Sequence, residues 1–337
     1  MIFSHSFLLA ENSQDHDPLY ALTGGQAILG VVGVFVFFTI SGYLIAQSFE
    51  QTRSPPVFLA KRALRIFPGL LACLAVCVFV IGPLVTALPL RDYFSRPQTW
   101  LFLLHNAVLD VDYNRLPGVE FWHGNIGGIV NGPLWSLPCE MLMYLMLFAL
   151  GLCRLLTLPV CLLLVAIGMS AIWFDTAGET FGGALWLLGF FAAGMCGYKL
   201  RGRSASWGLL DGRWALLALL GLGLSIPAHR FIVAFPICGG YLTLWLALTP
   251  RLPPLRAARF GDLSYGLYIY GWPVEQCVVY WSGATAPWWA VFLIAAPATA
   301  ALAFLSWHLV ERPSRWRSRR TVHLPRPQND QPAAANP

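Results

Sequence analysis

The sequence predicts an all-α, polytopic membrane protein of about ten transmembrane helices, and three observations predict it. The first is composition: 57% of the 337 residues are hydrophobic and 11% are charged, whereas soluble domains carry about a quarter charged residues. The second is a succession of uncharged apolar runs of the length, about 20 residues, that crosses a bilayer as a helix. The third is the placement of positive charge. If the basic loop after the second helix faces the cytoplasm and spans alternate, 18 of the 22 Lys and Arg lie inside. Only Arg91, Arg96, Arg115 and Arg230 lie outside. That bias is the positive-inside pattern, and it expects both termini in the cytoplasm and the chain in the inner (plasma) membrane. The net charge of +6 then belongs to cytoplasmic loops. No nucleic-acid motif accompanies it.

The elements follow in order. Residues 1–10, MIFSHSFLLA, read as the end of a helix whose beginning is missing, since ten residues rise only ~15 Å, half the hydrocarbon thickness. The stretch has neither the charged region nor the small-residue cleavage site of a signal peptide. Residues 11–27 form a polar, Gly-rich loop, and the span 28–49 follows, uncharged, with Ser41-Gly42 near its centre. A basic loop ends in KRALRIFPG (61–69) and leads into a third apolar run, 66–88, whose start Pro68 kinks or caps. Residues 89–133 are a long connection; its apolar centre, 99–109, is short for a span and reads as a re-entrant or interfacial segment. Counting it as a span would scramble the charge pattern. Further spans are expected at about 134–153, 155–173, 182–199, 213–228, 230–249, 263–282 and 287–309. Residues 1–310 are thus one membrane domain, and 311–337 a basic, disordered cytoplasmic tail. The eight cysteines form no C-x-x-C pair. They are expected to pack as small apolar residues, with neither a metal site nor a disulfide framework.

Ionisable groups inside apolar segments are costly, so each is a candidate site. His5 is either a packed, hydrogen-bonded histidine or a base able to take a proton from a hydroxyl. Glu140, six residues into its span, needs a partner or stays protonated. It could orient a histidine, bind a substrate hydroxyl, or form a structural pair. Trp135 and Ser136 flank the start of that helix, where a Trp ordinarily anchors at the interface. Lys61, Arg62 and Arg65 share helix faces and could clamp phosphates of a cytoplasmic cofactor; equally, they are loop charge. In GDLSYGLYIYGWPVEQ (261–276), Asp262 is placed to cap a helix. Tyr265, Tyr268 and Tyr270 either line a polar path or belong to the interfacial belt. Pro273 bends the span and Glu275 is a second membrane carboxylate. Glu311-Arg312 is expected as an interfacial ion pair of little consequence. No Walker, G-x-S-x-G or H-E-x-x-H sequence occurs. A membrane histidine, a carboxylate and a basic cluster fit acyl transfer and proton-coupled transport alike.

Six short elements, in order, carry a resemblance. They are His5 in FSHSF; Gly33 to Ile45 with Phe37, Phe38, Ser41 and Gly42; Arg62, Arg65, Ile66 and Pro68; Trp135, Ser136, Leu137, Glu140 and Tyr144; Ser264, Tyr265 and Tyr268 before Trp272-Pro273; and Glu311 with Pro313. Together they resemble the acyltransferase 3 family of integral membrane O-acyltransferases over almost the whole chain. The resemblance implies transfer of an acyl group, commonly acetyl, from acyl-CoA (a donor substrate, not a resident cofactor) to a hydroxyl of a glycan, lipid-linked sugar or other glycosylated product. It casts His5 as general base or a relay to it, Glu140 as its partner or a substrate ligand, and Arg62 and Arg65, with Lys61 beside them, as the acyl-CoA site. Ser41, Trp135, Ser136, Tyr265 and Tyr268 are the candidate substrate contacts. With no activated nucleophile apparent, direct transfer is expected. There are departures. The family's helix 1 has an arginine about ten residues before the histidine, absent here; either the start lies upstream of Met1, which would supply it and complete the helix and is the favoured expectation, or this form is truncated and inactive. Many members carry histidine before the Trp-Pro of the ninth span, where this chain has Gly271, so that role is dispensable or falls to Glu275. No soluble esterase-like domain is read in these residues, so transfer is expected to finish within the membrane unit or on a separate partner. The rival class is a proton-coupled glycan transporter, which would need inverted repeats with broken helices; none stands out. A third reading, a non-catalytic membrane scaffold, expects Glu140→Gln to be silent.

Overall fold

The structure, a computed structural model, describes residues 1–52, 54–121, 128–174, 180–207, 211–249 and 261–314. The tail expected from 311 lies outside the described residues from 315 onward. In chain order the helices are α1 (Ile2–Glu11), α2 (Pro18–Thr23), α3 (Leu29–Gln51), α4 (Pro55–Val76), α5 (Gly82–Val85), α6 (Leu90–Ser95), α7 (Pro97–Ala107), α8 (Ser136–Leu152), α9 (Leu158–Trp173), α10 (Thr180–Trp207), α11 (Gly212–Ser225), α12 (Phe231–Ala234), α13 (Cys238–Leu248), α14 (Ser264–Trp281) and α15 (Trp288–Ser306). No strand occurs among the described residues. Five stretches are long and apolar enough to cross a membrane: Leu29–Gln51, Pro55–Val85, Gly132–Leu152, Gly183–Arg201 and Trp288–Ser314. With α1, α9, α11, α13 and α14 they make ten helices at the ten expected positions. The chain is an all-α, multi-pass membrane protein. Residues 99–109 fall on α7, whose 11 residues are short for a span.

A polar knot and an aromatic cluster set the helix that carries His5. Asp17 is buried, and its Oδ1 accepts from the backbone N–H groups of Leu19 (2.9 Å) and Leu29 (3.2 Å). It therefore caps α2 and the start of α3 together, satisfying donors that helix ends leave open. Ser4 donates to its other oxygen at 2.6 Å, which ties α1 into the same knot. On the opposite side Phe3 meets Phe7, Trp288 and Phe292 edge-on at 5.1, 5.6 and 5.4 Å. These contacts seat α1 against α15, and aromatic pairs of this kind add about 0.5–1.5 kcal/mol each beyond burial.

α3 and α10 cross almost backbone to backbone. A Cβ at Gly42 would lie 1.9 Å from the Phe191 carbonyl oxygen, and one at Gly194 would lie 2.0 Å from that of Thr39. Without a hydrophobic force between helices in lipid, small residues at such crossings supply the packing. Phe35 and Phe190 stack beside it, centroids 3.9 Å apart.

Prolines shape the remaining helices. The third span does not begin at 66 as expected: α4 starts at Pro55, because Pro55 and Pro56 occupy the first turn, where a missing N–H costs nothing. Pro68 lies inside the helix and neither starts nor caps it. Two π turns, Cys77–Ile81 and Trp307–Glu311, each end one residue before a Gly-Pro or Arg-Pro pair. In the first, Gly82 N–H reaches the Cys77 carbonyl, and the Val78 carbonyl is left to accept from the Tyr93 hydroxyl at 3.0 Å. In α14, Pro273 cannot donate to the Ile269 carbonyl. Asn131 Nδ2 (2.9 Å) and Cys73 Sγ (3.2 Å) donate instead, which locks the segment before α8 and the middle of α4 onto α14.

Candidate active site

His5 lies in the interior, 9% exposed, and its nearest carboxylate is on α14. Glu275, fully buried, holds Oε2 at 3.4 Å from His5 Nδ1 and accepts from the Ser6 hydroxyl through Oε1 at 2.8 Å. The indole of Trp272 stands edge-on to the imidazole at 5.0 Å. Trp272 is itself fixed, with its Nε1 donating to the Ile129 carbonyl at 3.3 Å. A histidine so placed is held on two sides, with Nδ1 toward a carboxylate but without a hydrogen-bond partner of its own.

A cavity of about 470 Å³ opens between α1, α3, α8, α14 and α15. Of the candidate catalytic and substrate residues, Ser136, Glu140, Tyr265 and Tyr268 line it, whereas His5 and Ser41 do not. The rest of the wall is mostly apolar, with Ile2, Phe3 and Phe37 among its members. Ser136 and Tyr268 share a short hydrogen bond, and Tyr268 donates to the Pro133 carbonyl at 2.6 Å. Tyr265 donates to the Ile66 carbonyl at 2.8 Å. Glu140 accepts from Tyr144 one turn on along α8. Ser41 on α3 is buried and is not part of the cavity wall. Trp135 is 43% exposed and is not part of the cavity wall.

The basic trio divides. Lys61 is exposed and its Nζ donates to Thr52 Oγ1 at 3.1 Å. Arg62 is half-buried, lies over the rings of Phe58 (5.6 Å) and Tyr144 (5.8 Å), and has no hydrogen-bond partner for its Nε. Arg65 pairs with Asp262 at 2.5 Å and lies over the Tyr265 ring at 5.6 Å. Both arginines therefore flank the polar end of the cavity, where Glu140, Ser264 and Tyr265 are found.

The profile of the acyltransferase domain family, acyltransferase 3, matches residues 1–308. The chain belongs to the acyltransferase 3 family. As a member it is an enzyme that transfers acyl groups, a membrane O-acyltransferase. Among curated proteins it is 29% identical to an O-acetyl transferase of Shigella phage Sf6, over 87% of this chain and 89% of that one. It is 27% identical to nodulation protein 10 of Rhizobium leguminosarum bv. viciae, over 88% and 86%. It is 24% identical to a membrane-bound transacylase, BcsY, of Komagataeibacter xylinus, over 81% and 75%. No solved structure gives a significant match.

Three sequence readings of this acyltransferase change. The carboxylate beside His5 is Glu275, not Glu140; the two carboxylates lie at the same membrane stage in the sequence, and only the packing of α1 on α14 separates their partners. Asp262 does not cap α14, since no side chain caps that helix; it pairs with Arg65 and accepts from Ser264 at 2.7 Å. Glu311 is not an interfacial partner of Arg312. It is 1% exposed and accepts from Ser306 at 3.1 Å, because the π turn swings it inward. Sequence reasoning passed over Ser6 and Tyr144 as chemical groups. Their signal was spacing: Tyr144 is one helical turn from Glu140, and Ser6 adjoins His5.

Proposed function

We propose that this acyltransferase moves an acyl group, acetyl in the simplest case, from cytoplasmic acyl-CoA to a hydroxyl of a glycan or glycosylated lipid at the inner membrane. The observation that carries the reading is the buried couple of His5 and Glu275 in a chain whose family transfers acyl groups. An ionisable pair in an apolar interior is expensive and marks function. The name of the phage relative, O-acetyl transferase, supports acetyl and an oxygen acceptor. His5 is the general base. Its Nε2 takes the acceptor's proton as the oxygen attacks the thioester carbonyl; the C–O bond forms, the C–S bond breaks, and the imidazolium returns the proton to the departing CoA sulfur.

Arg62 and Arg65 would bind the CoA phosphates, and the unpartnered Nε of Arg62 is a donor in want of such an oxygen. Lys61 would add to the field at the cytoplasmic surface. Glu140, braced by Tyr144, would accept a hydroxyl of the acceptor, with Ser136, Tyr265 and Tyr268 lining its path and Trp135 outside it. Family membership favours this enzyme over the transporter reading.

The test is mass spectrometry of the surface glycans of a deletion strain complemented with the wild-type chain or with His5→Ala. The mass increment of one acyl group with wild type, and its loss with His5→Ala, is the expected result. An increment retained by His5→Ala removes His5 from the reaction; no increment with wild type overturns the glycan acceptor.

A further inference from the structure

Glu275 has no packing reason to be a carboxylate. It is fully buried in the middle of α14, two residues past Pro273, where an apolar side chain would fill the space at no electrostatic cost. Its two oxygens address α1 only through Ser6 and His5. One turn earlier, Gly271 stands where many family members carry histidine. A Cβ there would come 3.0 Å from Ile2 Cγ1 and 4.0 Å from Glu275 Oε2. A side chain at 271 would press on Ile2 of α1, and the polar group facing α1 comes one turn later, at 275.

We propose that Glu275 is the positioning residue of the reaction, accepting the Nδ1 proton of His5 so that Nε2 is left bare to receive the acceptor hydroxyl's proton. The inference rests on His5 being the base. A carboxylate in this place fixes both the ring's orientation and its tautomer, the arrangement by which a buried aspartate serves the histidine of serine hydrolases. The Ser6 hydroxyl, donating to Oε1, keeps Oε2 aimed at the ring. The 3.4 Å separation is longer than a working hydrogen bond, as such contacts commonly are before substrate closes the site. Trp272 supplies the second wall and prevents the ring from swinging away from the carboxylate.

Charge and shape can be separated at this position. A glutamine at 275 keeps the volume and still accepts from Ser6. Its amide N–H₂, however, would donate to Nδ1 and place the imidazole proton on Nε2, the wrong tautomer for a base. The experiment uses inverted membrane vesicles from the deletion strain carrying the full chain, with radiolabelled acetyl-CoA as donor and the vesicles' own glycans as acceptors. Initial rates are taken against acetyl-CoA concentration. With wild type incorporating label and His5→Ala at background, Glu275→Gln should lower the maximal rate by about a hundredfold or more. The KM for acetyl-CoA should stay within about twofold, because an orienting residue acts on the chemical step. Glu275→Asp, which restores the charge on a shorter arm, should recover a measurable part of the rate. A wild-type rate for Glu275→Gln beside a dead His5→Ala overturns the role of Glu275 and leaves the base intact. Equal losses for Glu275→Gln and Glu275→Asp, with loss of monodisperse protein in detergent, also overturn it, in favour of a structural role. Label incorporated undiminished by His5→Ala overturns the base itself, a result the Glu275 variants cannot mimic.

Discussion

At the scale of single residues, the arginines and the lysine of the basic cluster make opposite predictions. Charge-assisted hydrogen bonds contribute about 1.5–3 kcal/mol each, so Arg62→Ala or Arg65→Ala should raise the KM for acetyl-CoA about tenfold or more. Lys61→Ala should change it less than about twofold, since Lys61 is exposed and engaged with Thr52. Asp262 competes with any donor phosphate for Arg65. That pair is partly exposed, in the range of about 0–1 kcal/mol, so Asp262→Asn should lower the KM by up to about fivefold. A KM that rises instead would mean that Asp262 aligns Arg65 for the donor. Outside the membrane, His16 lies against Glu11 at the end of α1, and that hydrogen bond raises the imidazole above its ordinary value. The contact's stability is therefore fully present below about pH 6.5, the unfolded value, and is lost as the pH rises through the raised one. NMR titration should show His16 above the model-peptide value, and Glu11→Gln should return it there. Much of this scale was legible in the sequence, because His5, Glu140 and the arginines are polar groups in apolar runs. What was not legible is pairing. Which carboxylate meets His5 depends on a contact between residues 5 and 275, and no local pattern encodes a separation of that size.

At the scale of helices, the sequence pattern located all ten apolar segments but not where α4 begins. The basic residues 61–65 masked a helix already running from Pro55, since charge reads as loop while Lys, Arg, Ala and Leu are all good helix formers. The crossing of α3 and α10 was signalled by Ser41-Gly42, a small pair in an otherwise bulky span, although its partner Gly194 was not. Gly42→Ala forces a methyl group to within 1.9 Å of a backbone oxygen that no rotamer change can relieve. It should cost about 3 kcal/mol or more, the upper end for overpacking. Size-exclusion chromatography in mild detergent should show a marked loss of monodisperse protein, and an unchanged profile would mean that the two helices stand further apart. Asn131→Ala, by contrast, removes one of two donors from the Ile269 carbonyl freed by Pro273. It should destabilise by about 1–3 kcal/mol, seen as a lower thermal transition, with the glycan product still formed at permissive temperature.

At the scale of the whole molecule, the distribution of Lys and Arg and the position of the site have to agree. If acyl-CoA comes from the cytoplasm, Arg62 and Arg65 must be reached from that face, and the end of α4 that carries them must be the cytoplasmic end. The proposed orientation, drawn from the charge bias, has it so, and alternation would then send α8 from an outer start at Ser136 to a cytoplasmic end at Leu152. Cys153, the residue that follows, is exposed, whereas six of the other seven thiols are buried and Cys238 is half-buried. One thiol therefore reports the orientation of the bilayer without any engineered label. A membrane-impermeant maleimide should modify Cys153 in inverted vesicles and leave it untouched in intact spheroplasts, with Cys153→Ser abolishing the signal. Labelling from the outside would reverse the orientation. It would place Arg62 and Arg65 on the face away from the acyl-CoA pool and so remove the cytoplasmic donor from the proposed reaction, while leaving the helix packing and the His5–Glu275 couple as they are.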